Sequence, residues 1–203
     1  MNKQEISVLS AFIITFVFSV LSGQIYEAQQ IKNNTLRLHI IANSNSVMDQ
    51  QDKLLIRDEL MAMEDVLPVY ADSFSGAVAQ VQDNIDVIEQ RINDILEKSN
   101  KNYTARCSLE NFCFDTTQYD SFALPKGEYT ALTVRLGKAD GNNWWCVMYP
   151  ALCSQSFCDT AYENSTDFIK TEKLIPRFKV VEIYEDVKNF FVKTDTEIYK
   201  NIG

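Results

Sequence analysis

The apolar pattern changes character several times along the chain. After a short polar start, Met1-Asn2-Lys3-Gln4-Glu5, residues Ile6 to Leu21 are almost wholly apolar and show no amphipathic stripe. Leu36-Arg37-Leu38-His39-Ile40-Ile41-Ala42 first alternates and then turns wholly apolar, which predicts a strand covered on at least one face. The cluster Asn43-Ser44-Asn45-Ser46 follows. Ser46 with Asp49 three residues later resembles a capping box, and a helix then carries Leu54, Leu55, Met61, Ala62 and Val66 inward as far as Pro68. Ser75 is placed to cap a second helix, whose Val78, Val81, Ile85, Ile88, Ile92 and Ile95 step by three and four.

Beyond Lys98-Ser99-Asn100 the period becomes two. Tyr103–Leu109, Tyr129–Leu136 and Trp144–Met148 read as strands, separated by the turns around Pro125-Lys126-Gly127 and Gly137–Asn142. Short links between successive strands predict an antiparallel meander. Pro176 opens a last helix with Phe178, Val181, Tyr184, Val187 and Phe191 at helical spacing. The expected class is therefore α+β: two N-terminal helices after a first strand, an antiparallel strand meander and a C-terminal helix.

The apolar start changes the reading of everything after it. It is longer than an ordinary secretory core and shorter than a comfortable membrane span of about 20 residues. Residues 1–23 are thus expected to be a signal peptide or an N-terminal anchor, and residues 33–193 a single exported domain. Outside the cytosol cysteines form stable disulfides, and five is an odd number, so at least one thiol stays free or pairs with another chain. Cys146 and Cys153 flank Pro150, and a bridge between them would contribute roughly 2–3 kcal/mol by closing a short loop. Cys107 and Cys113 lie on one face of a straight strand, six residues apart, too far to bridge. Cys158 remains open to either.

The net charge of −9 and the lack of a basic run exclude nucleic acid and anionic surfaces as natural partners of the exported part. With one histidine and no C-x-x-C, no metal or other cofactor is expected. The densest chemistry lies in Asn143-Trp144-Trp145-Cys146 through Cys153. Adjacent tryptophans of a strand point to opposite faces, so one is expected in the core and the other outward as an interface anchor. Asn143 belongs to that patch. Arg37 and His39 share a strand face and, with Asn43 and Ser44, make a second candidate interaction patch.

Two blocks carry a family resemblance. The first is Leu36 to Ser46, continuing through Asp49-Gln50 to Lys53 and Ile56-Arg57-Asp58. The second is Leu124-Pro125-x-Gly127-x-Tyr129-x-Ala131-Leu132, leading into Asn143-Trp144-Trp145-Cys146-Val147 and Tyr149-Pro150-x-Leu152-Cys153. Together they resemble the stage II sporulation protein R family of endospore-forming bacteria. Asn45 stands where an acidic residue is usual and Asp52 where an apolar one is usual; Asp52 is expected to weaken its helix face or mark a solvated spot. The resemblance implies a protein made in the forespore and exported towards the space between the two sporulating compartments. It implies activation there of a membrane-embedded aspartic-type protease that processes the sigma-E precursor, and no catalytic residue in the activator itself.

The alternative is an exported hydrolase acting at the cell wall or septum. His39 with a cysteine or with Ser44, or a pair of carboxylates, would supply its chemistry. Against it stand the absence of a G-x-S-x-G elbow and a total of only six glycines.

Overall fold

The computed structural model describes residues 2–118, 123–150 and 181–187. Helix α1 runs Lys3–Asn33, strand β1 Leu36–Ile41, helix α2 Val47–Met61 and helix α3 Phe74–Lys98. Strands β2 (Ala105–Phe114), β3 (Thr117–Gln118), β4 (Ala123–Leu124), β5 (Gly127–Leu136) and β6 (Asn143–Tyr149) follow, and residues 181–187 form helix α4. The class is α+β, with a mixed four-stranded sheet in the order β2-β5-β1-β6 and a small β3-β4 pair. The chain groups into two compact units. Of the described residues, one contains 33–113 and 128–150, the other 2–32, 114–118, 123–127 and 181–187.

The sheet is not the expected meander. β1 is inserted between β5 and β6, parallel to β5 with Leu38 opposite Leu132, and antiparallel to β6 with Ile40 opposite Trp144. The reason is burial. Leu36, Arg37, Leu38, His39 and Ile40 are all inaccessible to solvent, so both faces of β1 are covered. A strand apolar enough to be covered twice takes a central place, and the Gly137–Asn142 link that reads as a hairpin crosses over it.

Leu36, Leu38 and Ile40 form one core with Ile56 and Leu60 of α2, with Ala77, Val81, Ile88, Ile92 and Leu96 of α3, and with Leu132, Val134 and Leu136 of β5. The α3 stripe is the one expected from its spacing. Its cap is Ser73, whose Oγ accepts from the Gly76 N–H at 3.1 Å, and not Ser75, because the helix begins at Phe74. Helix α2 is rotated from expectation. Leu54 and Leu55 face outward, while Asp52 and Lys53 are buried beside Ile56 and Leu60.

Asp52 is not a solvated weak point. Its carboxylate pairs with Lys101 at 2.7 Å and accepts from the Tyr103 hydroxyl at 2.7 Å. Burial, together with the hydrogen bond to Asp52, drives the Tyr103 phenol far above its usual titration range. The Asp52 carboxylate is compensated on two sides, and its partners come from the turn after α3.

In the other unit, α1 is a continuous helix. It is long and apolar enough to cross a membrane, and its apolar part is unburied. Its last turns are different: Ala28, Ile31 and Lys32 are buried. Lys32 pairs with Glu185 of α4, Thr116 donates to Glu182, and Lys126 pairs with Asp186 at 2.6 Å. Helix α4 buries Val181 and Glu185 and leaves Tyr184 and Val187 exposed, so of the three expected inward positions among the described residues only Val181 is inward. Pro176, Phe178 and Phe191 lie outside the described residues.

Replacing Asp52 by Ala should leave the half-buried Lys101 and Tyr103 hydroxyl without their partner, at a cost of about 2 kcal/mol. Urea denaturation of the variant would show a lower midpoint with an unchanged slope. An unchanged midpoint would mean that the pair contributes nothing.

Candidate functional site

The two blocks that carry the resemblance meet at one edge of the sheet, where β1 runs into α2 and β5 runs into β6. Ser46 caps α2 as expected, its Oγ accepting from the Asp49 N–H at 3.1 Å. The Asp49 carboxylate in turn accepts from Ser44 Oγ and from Asn43 Nδ2 at 2.9 Å. Its hydrogen bond with Ser44 is the largest cause holding the acid below the ordinary carboxylate range.

The same loop clasps the Gly137–Asn143 segment. Asn43 Oδ1 accepts from the Lys138 N–H at 2.9 Å, and Asn45 Oδ1 from the Asn142 N–H at 2.7 Å. Gly141 donates to the Ala42 carbonyl at 2.9 Å. Lys53 Nζ donates to Gln50 at 2.7 Å and to the Asn142 carbonyl at 3.1 Å, while burial lowers its pKa. Gln50 Nε2 closes the ring on the Ser44 carbonyl at 2.9 Å. The glycines are there for close approach. A Cβ on Gly141 would overlap the Ser44 carbonyl oxygen, and one on Gly137, at φ +56°, would overlap the Asn43 amide.

This clasp explains Asn43. Both ends of its amide are engaged within the protein, so it holds the scaffold and does not present a free recognition group. Asn45 performs a job an acid would also perform: it accepts a backbone N–H.

Arg37 and His39 do not form a surface patch. Both are fully buried on the face of β1 opposite Leu36, Leu38 and Ile40. The Arg37 guanidinium lies over the Tyr129 ring at 5.2 Å. His39 stacks on Trp145 with centroids 3.6 Å apart, and meets Phe112 edge-on at 4.8 Å. Burial lowers the His39 pKa to about 4, partly opposed by its hydrogen bond with the Asn143 side chain. Polar residues at alternating positions read as surface; they are buried because this face of the strand is covered too.

Trp144 and Trp145 lie on opposite faces, as alternation requires. Neither is fully buried or fully exposed. Trp144 packs at the margin of the helix-side core, with the Arg57 guanidinium over its ring at 5.5 Å. Asn143 is exposed at the strand's start. Cys146 is buried and disulfide-bonded; Cys153 and Cys158 lie outside the described residues. Cys107 carries a free thiol, which burial pushes up to about 12, and Cys113 is exposed. Among the described residues no three His, Cys, Asp or Glu side chains come together as metal ligands would.

Replacing Gly141 by Ala should force the two loops apart and destabilise the protein by about 2 kcal/mol, with loss of protection at the Gly141 and Asn142 amides in hydrogen exchange. A variant as stable as wild type would show that the clasp yields easily. His39 gives a pH signature. Its folded pKa is depressed, so its contribution is complete above about 6.5 and is lost as pH falls towards about 4, because the unfolded chain takes the proton first. Melting of wild type should therefore drop more steeply across that window than melting of a His39→Phe variant. Parallel profiles would remove this assignment.

Comparison with known proteins agrees with this geometry. The sequence model described as stage II sporulation protein R matches residues 32–159, from the end of α1 to beyond the second resemblance block. Stage II sporulation protein R of Bacillus subtilis (strain 168) is 30% identical over 161 residues, covering 73% of this chain and 72% of that protein. No solved structure matches significantly. The matched region contains the clasp, the buried β1 and both tryptophans, and on that match the chain belongs to the stage II sporulation protein R family, with a role in sporulation.

Proposed function

We propose that this chain is an exported signalling protein of endospore formation, which activates a membrane-embedded aspartic-type protease that processes the sigma-E precursor. The observation that carries the reading is the family match beginning at residue 32, directly after a helix apolar enough to enter a membrane. In this reading the chain leaves the forespore and works in the space between forespore and mother cell. It stays there either freed from residues 1–23 or held by residues 6–21.

A ligand of this kind requires a stable fold and a recognition surface, and no catalytic group. Two buried environments weigh against the thiol-hydrolase alternative. Cys107 is pushed up to about 12 and His39 down to about 4, the opposite of what a thiolate–imidazolium pair needs. The disulfide of Cys146 is assigned to Cys153, across Pro150; it would hold the strand after Trp144 and Trp145 against the turn that follows.

The test is reconstitution. The protease and the sigma precursor are produced in a non-sporulating host, with and without this chain. Precursor cleavage should depend on the chain and on its export. Export without cleavage would sink the activation reading. A second expectation follows from α1. The residues it buries, Ala28, Ile31 and Lys32, lie beyond position 23. Replacing residues 1–23 by an unrelated secretory signal should then preserve activity; a strict need for the native segment would mean that the helix itself touches the partner.

A further inference from the structure

Helix α2 is amphipathic the wrong way round. Its inner side buries Asp52 and Lys53 along with Ile56 and Leu60. Its outer side exposes Val47 (74%), Met48 (65%), Leu54 (39%) and Leu55 (38%). At about 3.6 residues per turn, positions 47, 48, 51, 54, 55 and 58 share one outward face. A single exposed leucine needs no explanation, but four large apolar side chains on one face, on a helix that buries charge, mark a contact surface. Leu54 is one turn from Arg57, whose guanidinium lies over the half-covered Trp144, so this face of α2 borders β6 through that pair.

Charge decides what fits there. The C-terminal half of the face and the turn beyond it expose Asp58, Glu59 and Glu64. The basic residues of α2 are occupied: Lys53 is buried on the clasp and Arg57 pairs with Asp58 at 2.6 Å. A second copy would bring an identical acidic flank against this one, in a chain of net charge −9. An anionic lipid surface would be repelled in the same way.

We propose that the outward face of α2, with Trp144 at its edge, docks a partner segment whose apolar anchor residues are flanked by Lys or Arg. Given the function proposed above, that segment belongs to the outward-facing part of the membrane-embedded protease. Apolar contacts along Val47, Met48, Leu54 and Leu55 supply the anchoring, and Glu59 and Glu64 set orientation and speed of encounter.

The full-length chain in the reconstituted host tests this. A Met48→Glu/Leu55→Glu variant changes two exposed side chains and should melt like wild type, yet reduce precursor cleavage about tenfold or more. Glu59→Lys/Glu64→Lys should reduce it several-fold and weaken its salt dependence. A photoreactive amino acid at position 48 or 55 should cross-link to the protease, and one at exposed Gln82 of α3 should not. Full cleavage with the Met48→Glu/Leu55→Glu variant would overturn the proposal. So would cross-links from position 55 to a second copy or to lipid alone. Should wild type cross-link to the protease without causing cleavage, the docking surface stands and the activation reading falls.

Discussion

The larger unit depends on the double burial of β1. A strand with both faces covered has to satisfy its backbone on two sides and its polar side chains on one. β5 and β6 supply the backbone partners, one parallel and one antiparallel. Tyr129, Trp145 and Phe112 supply flat aromatic surfaces for Arg37 and His39. Because the two neighbours of β1 run in opposite senses, their connection passes over its end. The Asn43–Ser46 loop meets that connection there and ties it down through Asn43, Asn45, Gly141 and Lys53. The signature-like stretch after β1 therefore answers a topological demand.

Local signals were legible wherever the stabilising partners are close in sequence. The α3 stripe, the Ser46 cap and the strands of the second half follow from spacing alone. Apart from the α3 cap, which is Ser73 and not Ser75, what failed was non-local. α2 faces the way it does because Asp52 finds Lys101 and Tyr103, and Lys53 finds Asn142, none of which a helical pattern reveals. The meander failed because a six-residue link between two strands looks the same whether they touch or leave room for a third. Arg37 and His39 were read as surface because polarity at alternating positions usually means solvent; here it means a second buried layer. The opposite faces of Trp144 and Trp145 were readable, but not that both stay half-covered.

The distribution of polar groups separates scaffold from surface. Asn43, Ser44, Asp49, Gln50 and Lys53 look like chemistry in a list and work as joinery in the fold. His39 resembles a catalytic base by type and behaves as a neutral aromatic by environment. On α2 the outward residues Val47, Met48, Leu54 and Leu55 carry no chemistry at all. For a protein proposed to act by being recognised, that division is coherent: the polar groups around β1 and the clasp are tied down inside, and the outward face of α2 is apolar with an acidic border.

The continuity of α1 has a consequence for distance. The apolar stretch ends at Leu21, and the first buried residue of the helix beyond it is Ala28. The six residues between them span about 9 Å of helix. If the helix stays in the bilayer, its buried last turns at Ala28, Ile31 and Lys32 are held close above the membrane, at a distance set by helix length. The chain would then search for its target in two dimensions, within a thin layer above its own membrane. Released by cleavage, the same domain would search a volume. If the chain signals as proposed, a single proteolytic event near residue 23 would set whether the signal is read by contact or by diffusion.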